Sequence, residues 1–288
     1  MSSKGPLRNP VALNFYVDAC NKEQIERLLR DFRLPDLKGD IVAGILPHAG
    51  WAYSGRVAAK VFKCIKEKNP PDTFVLLGAI HSLPERNSVY AQGTWATPLG
   101  EVQVDEELAR GLLAALKDKL AEDPQAHSGE HSLEVQLPFI KYFFPSAKIV
   151  PIRIAADSGA ASLGVKIGEC LLKAKKGIAV IGTTDLTHYG DPYGFAPAGY
   201  GDKAYSWMKN NDTRIVKLAL EMKADDIVKE AAVNYNACGS GALAATVAAA
   251  TALGAERGIL LEYTTSHEVS GENDFHMGVG YAGILFIK

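Results

Sequence analysis

Three histidines stand just beyond apolar runs of the sequence that have the length and composition of buried strands. The runs and their histidines are Ile41–Leu46 with His48, Thr73–Gly78 with His81, and Ile178–Gly182 with His188. In open parallel sheets the loops that follow the strands converge at one edge, and ligands bind there. Each histidine alone is compatible with a hydrogen-bonded structural role, but three at three strand ends indicate a common site. Neutral imidazole is a common metal ligand, so we expect this site to bind a metal.

Cys238 is the candidate for a third ligand beside two histidines. It lies in the segment Asn-Ala-Cys238-Gly-Ser-Gly, at the apparent start of an alanine-rich helix. The dipole and free N–H groups of a helix start lower the pKa of a thiol toward the thiolate, which is the ligating form. A cysteine beside glycines is also commonly a small buried apolar residue. The other cysteines fit that second interpretation: Cys20, Cys64 and Cys170.

Acid–base residues accompany the candidate ligands. Asp185 and His188 lie three residues apart, close enough in a turn for the carboxylate to orient the imidazole for proton transfer. Glu130 and His131 are adjacent at an apparent helix start, where they either support the site from behind or form an ordinary cap. The remaining histidines lack a strand-end position or a partner and are expected on the surface: His127, His267 and His276.

The elements that must position these residues follow from apolar patterning. Further apolar runs predict strands at Ile149–Ile154, Gly258–Thr264 and Gly280–Ile287. Helical spacing is seen in two segments: Val57, Val61 and Ile65 with Ser54 as N-cap, and Leu108, Leu112 and Leu116 after the acidic run Asp105–Glu107. Alternation of strands and helices predicts an α/β fold with a mainly parallel central sheet and helices on both faces. No linker divides the chain, so we expect one domain spanning residues 1–288.

Composition narrows the function classes. With 47% hydrophobic and 22% charged residues, the chain can bury a large core. Its net charge is -2 and its basic residues are scattered, which argues against nucleic acid or an anionic membrane as partner. Widely spaced cysteines without an apolar leader predict reduced thiols and a cytoplasmic protein. The uncharged stretch Ala237–Ala255 consists mainly of small residues, which favours a buried helix over a membrane span.

Several ordered motifs together resemble one known family. They are Asn14-Phe-Tyr, Pro47-His48-Ala-Gly50-Trp-Ala-Tyr53, Leu77-Gly78-Ala-Ile-His81, Glu130-His131-Ser-Leu-Glu134, Leu137-Pro138, Asp185-Leu-Thr-His188-Tyr-Gly, Ala237-Cys238-Gly239 and Gly280-Tyr-Ala-Gly283. This pattern, which covers nearly the whole chain, is similar to the Memo family, also called AmmeMemoRadiSam system protein B. Ile80 and Trp51 depart from common family residues without removing a ligand.

The resemblance implies a fold related to the class III extradiol dioxygenases, which are non-haem iron enzymes. It also implies metal ligands at His48, His81 and Cys238, with His188 at the position of the acid–base histidine. Those dioxygenases use a carboxylate where this chain has Cys238. A thiolate shifts metal preference toward copper, zinc or a differently tuned iron, so the ring-cleaving activity does not simply carry over.

Three functions compete at this stage. The first is an iron or copper enzyme of redox or oxygenase type, which acts on an unknown small molecule with His188 and Asp185 in proton transfer. The second is a metal-dependent hydrolase with zinc or iron at the same site and Glu130 or His188 as base. The third is a phosphopeptide-binding module, which the resemblance suggests, although no arginine cluster is visible. The resemblance also implies AMMECR-type and radical-enzyme pathway partners.

Overall fold

The computed structural model describes residues 5–16, 20–82, 86–174 and 177–288. The strands are β1 (Leu7–Arg8), β2 (Ile41–Leu46), β3 (Thr73–Gly78), β4 (Ser88–Val89), β5 (Thr94–Thr97), β6 (Gly100–Gln103), β7 (Ala121–Glu122), β8 (Lys148–Arg153), β9 (Ile178–Thr183), β10 (His188–Tyr189), β11 (Arg257–Thr265) and β12 (Gly278–Ile287). The α-helices are α1 (Lys22–Leu28), α2 (Trp51–Lys68), α3 (Glu106–Ala115), α4 (Leu137–Phe143), α5 (Ala160–Leu171), α6 (Asp202–Leu220), α7 (Ala224–Asn234), α8 (Ser240–Ala252) and α9 (Ser266–Ser270).

The main sheet is parallel at its centre and antiparallel toward both sides. Strands β2, β9, β3 and β8 run parallel in that order. Strand β12 pairs antiparallel with β2, and both β10 and β11 pair antiparallel with β12. On the other side β4 pairs antiparallel with β8. The predicted α/β class is confirmed, and the sheet is mixed rather than purely parallel.

Helices cover both faces of this sheet, as predicted. A Cβ on Gly44 in β2 would lie 3.1 Å from Val61 of α2. A Cβ on Gly182 in β9 would lie 2.1 Å from Thr246 of α8. Gly44 is in register with Ile181, the residue before Gly182, so the two glycines face opposite sides of the sheet. Small residues at these points let each helix pack closely on the strands.

The predicted strands are present with ends that differ by at most two residues, but one predicted helix start is wrong. Ser54 does not cap α2, because the helix already begins at Trp51 and the carbonyl of Gly50 accepts the N–H groups of Tyr53 and Ser54. The Ser54 hydroxyl donates back to the Ala49 carbonyl at 2.9 Å. For α3 the expectation is confirmed, since the Asp105 carboxylate accepts the Leu108 N–H at 3.2 Å.

Helix α8 is buried along most of its length, as the alanine-rich sequence predicted. It packs closely against α5: a Cβ on Gly164 would lie 2.2 Å from the carbonyl oxygen of Ala245. Among the described residues, no helix is both long and apolar enough to cross a membrane.

Candidate metal centre

A cavity of about 410 Å³ opens at the C-terminal edge of the central strands. The loops that follow β2, β3 and β9 bring His48, His81, Asp185 and His188 to its wall. His131, from the segment before α4, completes this polar side. The strand ends therefore converge as the sequence predicted for parallel strands.

His48, Asp185 and Cys238 form a tightly connected group. The Sγ atom of Cys238 lies 3.2 Å from Nε2 of His48. Asp185 Oδ1 accepts the backbone N–H of His48 at 2.8 Å and that of Ala49 at 3.2 Å. The Cys238 N–H in turn donates to the Asp185 carbonyl at 3.2 Å. These bonds join the loop after β2 to the loop after β9 and to the segment before α8.

The donor atoms of this group suit a single metal ion. A thiolate at about 2.3 Å and an imidazole nitrogen at about 2.1 Å from one ion lie roughly 3.1 to 3.6 Å apart, depending on the angle between them. The observed separation of 3.2 Å between Cys238 Sγ and His48 Nε2 falls in that range. A ligand atom of Asp185 lies within 4.8 Å of both.

A second group shares His48. Ring nitrogens of His48, His81 and His131 all lie within 4.8 Å of one another. The ring centroid of His48 lies 5.1 Å from that of His81 and 5.7 Å from that of His131. The centroids of His81 and His131 are 4.8 Å apart. The expected ligands His48, His81 and Cys238 are thus divided between two groups that meet at His48.

The imidazoles are held in their neutral form. Burial lowers the pKa of His48 well below its usual range, and the neighbouring histidines lower it further. Desolvation, followed by the charges that His131 and His188 would carry, lowers the pKa of His81 to about 4. Desolvation is also the main cause of the lowered pKa of His131. Neutral imidazoles keep a nitrogen lone pair for a metal at neutral pH.

The pKa values of Asp185 and Cys238 are both raised, and for Cys238 this differs from the sequence-based expectation. Burial raises the pKa of Asp185 to about 7, although the N–H groups of His48 and Ala49 act in the opposite direction. Burial and the charge of Asp185 raise the pKa of the Cys238 thiol. We expected the start of α8 to lower the pKa of this thiol, and for the protein without metal that prediction is wrong. Cys238 precedes the N-cap residue, Gly239, and a carboxylate lies beside it. A bound cation favours the thiolate.

His188 is oriented by the backbone and not by Asp185, which corrects the predicted pairing. Its Nδ1 lies 3.0 Å from the carbonyl oxygen of Leu186. Since a carbonyl oxygen only accepts, Nδ1 carries the proton and Nε2 keeps the lone pair. The Asp185 carboxylate is directed to the backbone of His48 and Ala49 instead. Desolvation lowers the pKa of His188, so the ring is neutral and able to accept a proton at Nε2.

The Glu130 carboxylate binds within its own segment and stabilises the turn that carries His131. It accepts the Leu133 N–H at 3.0 Å and the Ser132 hydroxyl. Glu130 is not among the residues that line the cavity, so the structure does not bring it to the site. Its neighbour His131 does reach the cavity and packs on Phe15, with ring centroids 4.8 Å apart.

Two buried arginines support the site and were missed from the sequence. Arg8 donates to the backbone carbonyls of His127 and Glu130 at 2.9 and 2.6 Å and binds the Glu134 carboxylate at 2.6 Å. Arg153 donates to Ser82, next to His81, at 3.0 Å. Arg153 carried a sequence signal, because it is a charged residue within the predicted apolar strand Ile149–Ile154, whereas Arg8 carried none.

The expectation of surface positions holds for one of the remaining histidines. His276 is exposed. His127 is fully buried, with its ring 5.9 Å from that of Tyr90 and 6.0 Å from that of Trp95. His267 lines the cavity, because it follows the end of β11 at the same edge of the sheet. That strand-end position was the signal that would have identified it.

The fold and the site define an α/β protein with a candidate metal-binding group of histidine, aspartate and cysteine at the strand ends of its central sheet. The profile of a family described as "Memo-like protein" matches residues 9–285. The chain belongs to the Memo family, and its α/β fold is the extradiol dioxygenase-like fold of that family.

Relatives and a solved structure agree with this assignment. The chain is 38% identical to a MEMO1 family protein of Pyrococcus furiosus over 98% of this chain and 99% of that protein. It is 36% identical to a MEMO1 family protein of Thermococcus onnurineus over 96% and 98% of the two chains. An uncharacterized protein from Escherichia coli K12 has a similar fold, with a TM-score of 0.53 and 13% identity, and the match covers 85% of this chain and 99% of that one.

Proposed function

We propose that this protein is a metal-dependent enzyme of redox or oxygenase type that binds iron or copper through His48, His81 and Cys238. The observation that carries the proposal is the 3.2 Å contact between Cys238 Sγ and His48 Nε2 beside a cavity large enough for a small molecule. A thiolate with two imidazoles is a donor set for iron, copper or zinc. When bound, such a metal supplies Lewis acidity or electron transfer next to the substrate.

His188 is the proton acceptor in this proposal. Its Nδ1–H is held by the Leu186 carbonyl, which leaves Nε2 as the basic atom of a ring that lines the cavity. When Nε2 gains a proton from substrate, the bond from Nδ1 to the carbonyl strengthens and stabilises the imidazolium. Asp185 acts as a clamp that holds the backbone of His48 and Ala49, and not as the partner of His188.

The cavity wall defines how the substrate is held. Tyr53, Tyr193 and Tyr281 contribute aromatic surface, and Phe15 contributes an apolar ring beside His131. Among the described residues that line the cavity, none is a lysine or an arginine. A phosphate group usually needs such a residue, so the lining favours a small, largely uncharged aromatic or hydroxylated molecule over a phosphopeptide.

Metal analysis after purification without chelators tests this proposal. We expect iron or copper near one equivalent in the wild-type protein and loss of the metal in His48→Ala. Oxygen uptake with a panel of phenolic compounds, compared between wild type and His188→Gln, tests the reaction. A protein that cannot be loaded with iron, copper or zinc contradicts the metal proposal.

A zinc-dependent hydrolase is the second candidate, because two histidines and one cysteine are also a donor set of catalytic zinc sites. Here His188 would accept a proton from water. Turnover of esters or amides by the zinc-loaded protein, without oxygen uptake by the iron or copper forms, favours this alternative over the first.

A further inference from the structure

The His131 ring lies at the cavity, close to the rings of His48 and His81. The half-buried ring of His131 and the exposed ring of His81 both reach the cavity, and no ring nitrogen of either forms a hydrogen bond with a residue that the structure describes. Both rings lie on the same side of the cavity as His48, with His81 and His131 stacked at 4.8 Å and an interplanar angle of 28°. Neutral imidazole nitrogens that lie this close together can ligate one cation in common.

The segment that carries His131 is held rigidly. Arg8 binds the carbonyl of Glu130 at 2.6 Å, and the Glu130 carboxylate accepts the Leu133 N–H at 3.0 Å. His131 is followed by a turn in which the Val135 N–H donates to the His131 carbonyl at 3.0 Å. The ring packs on Phe15, which also lines the cavity. These contacts fix a segment whose His131 side chain lines the cavity.

We propose that His131 is itself a metal ligand, so that His48, His81 and His131 form an all-imidazole face that binds a metal ion without Cys238. The inference rests on the proposed metal site and extends it by one residue. Its geometric basis is that ring nitrogens of the three histidines lie within 4.8 Å of one another, a spacing that small side-chain movements close around one ion. His188 is not part of this face, because it belongs to neither group of donor atoms that lie within 4.8 Å of one another among the described residues.

The arrangement has a chemical consequence. With Cys238 available, the ion is held between a soft thiolate and imidazoles, which suits copper, zinc and thiolate-tuned iron. When the thiol is absent or blocked, the three imidazoles retain the ion in a site of harder ligands. His48 belongs to both groups and is the residue that neither arrangement can lose.

Cobalt(II) binding tests the proposal with a readout that is independent of activity. Four proteins are compared by calorimetry and absorption spectroscopy: wild type, Cys238→Ser, His131→Phe and the double variant. Phenylalanine keeps a ring packed against Phe15 but offers no nitrogen. His276→Phe is the matched control, because His276 is exposed and outside both groups.

We expect Cys238→Ser to lose the thiolate-to-cobalt charge-transfer band while it still binds cobalt. The double variant is expected to bind more than about 100-fold more weakly than Cys238→Ser, beyond the 10–100-fold typical of a residue that only orients a ligand. Equal affinities of Cys238→Ser and the double variant would overturn the proposal, as would complete loss of binding in Cys238→Ser alone. Circular dichroism identifies any variant that is unfolded, and His131→Ala then replaces His131→Phe.

This experiment separates the inference from the proposed function. If wild type and Cys238→Ser bind cobalt as expected but no iron, copper or zinc form reacts with any substrate, the proposed enzyme function fails and the ligand assignment of His131 stands. If wild type binds no metal at all, both fail.

Discussion

Replacement of Arg8 by methionine tests how the N-terminal strand supports the cavity. The Arg8 guanidinium, buried with 6% of its side chain exposed, binds the Glu134 carboxylate, whose side chain is 0% exposed. It also donates to the carbonyls of His127 and Glu130 and lies 3.9 Å from the centroid of the Trp95 ring. Methionine keeps much of the apolar contact with the ring and removes the charge and all three donors.

The expected loss in free energy of unfolding follows from the contacts that remain around Glu134. In the variant, the partners of its carboxylate among the described residues are the backbone N–H groups of Val11 and Ala12, at 3.0 and 2.8 Å, and neither carries a counter-charge. Breaking one partner of a buried pair costs about 3–5 kcal/mol. For a chain of this size that corresponds to a melting temperature lower by roughly 6–20 °C. In Arg8→Met with Glu134→Gln, the uncompensated charge is gone and we expect at least half of this loss to be recovered.

Urea unfolding of the single and double variants, followed by circular dichroism, measures the two free energies of unfolding. Arg110→Met is the control, because Arg110 forms an exposed pair with Glu106 one helical turn away and is expected to leave the midpoint unchanged. The reasoning is refuted if Arg8→Met destabilises by less than about 1 kcal/mol, or if the double variant is as unstable as the sum of the two single variants.

Three further perturbations have defined outcomes. Gly164→Ala places a methyl group against the backbone of Ala245 and is expected to destabilise the protein by about 1–3 kcal/mol. Gly111→Ala, with open space around the new methyl group, is expected to stabilise it by about 0.5–1 kcal/mol. If thermal unfolding shows changes of the same sign for both variants, the close packing of α5 on α8 is contradicted. Burial raises the pKa of Asp212 to about 7, so the folded protein retains a proton that the unfolded chain loses near pH 4, and stability decreases as the pH rises from about 4 to 7. Asp212→Asn is expected to reduce this slope in urea unfolding at a series of pH values, and an unchanged slope counts against the raised pKa. Removal of metal by a chelator is expected to lower the melting temperature of wild type but not of His48→Ala. At a metal concentration about 100 times the dissociation constant, the wild-type protein loses about 2.7 kcal/mol of its free energy of unfolding. Identical shifts in both proteins contradict His48 as a ligand.

The central strands were predictable because they are fully buried and rich in β-branched residues. Such runs have a length and composition that distinguish them from helices without any knowledge of their neighbours. The start of α2 was not predictable in the same way. Ser54 has the residue type of a cap, but the helix begins at Trp51, whose ring stacks on Phe139 at 4.1 Å and whose Nε1–H binds the Val135 carbonyl at 3.0 Å. Contacts with a distant segment therefore placed this boundary.

The sequence alone determined that His48, His81 and His188 lie at one edge of the sheet, because strand ends and their order follow from local patterning and from the geometry of parallel strands. The tertiary structure decided how these residues are paired. Asp185 binds the backbone at His48 and not the ring of His188, although His188 is its neighbour in sequence. His131 faces His48 and His81 because Arg8 and Phe15, more than a hundred residues away in the chain, hold its segment against the cavity. Such pairings depend on the paths of loops that carry no periodic pattern, so only the folded chain reveals them.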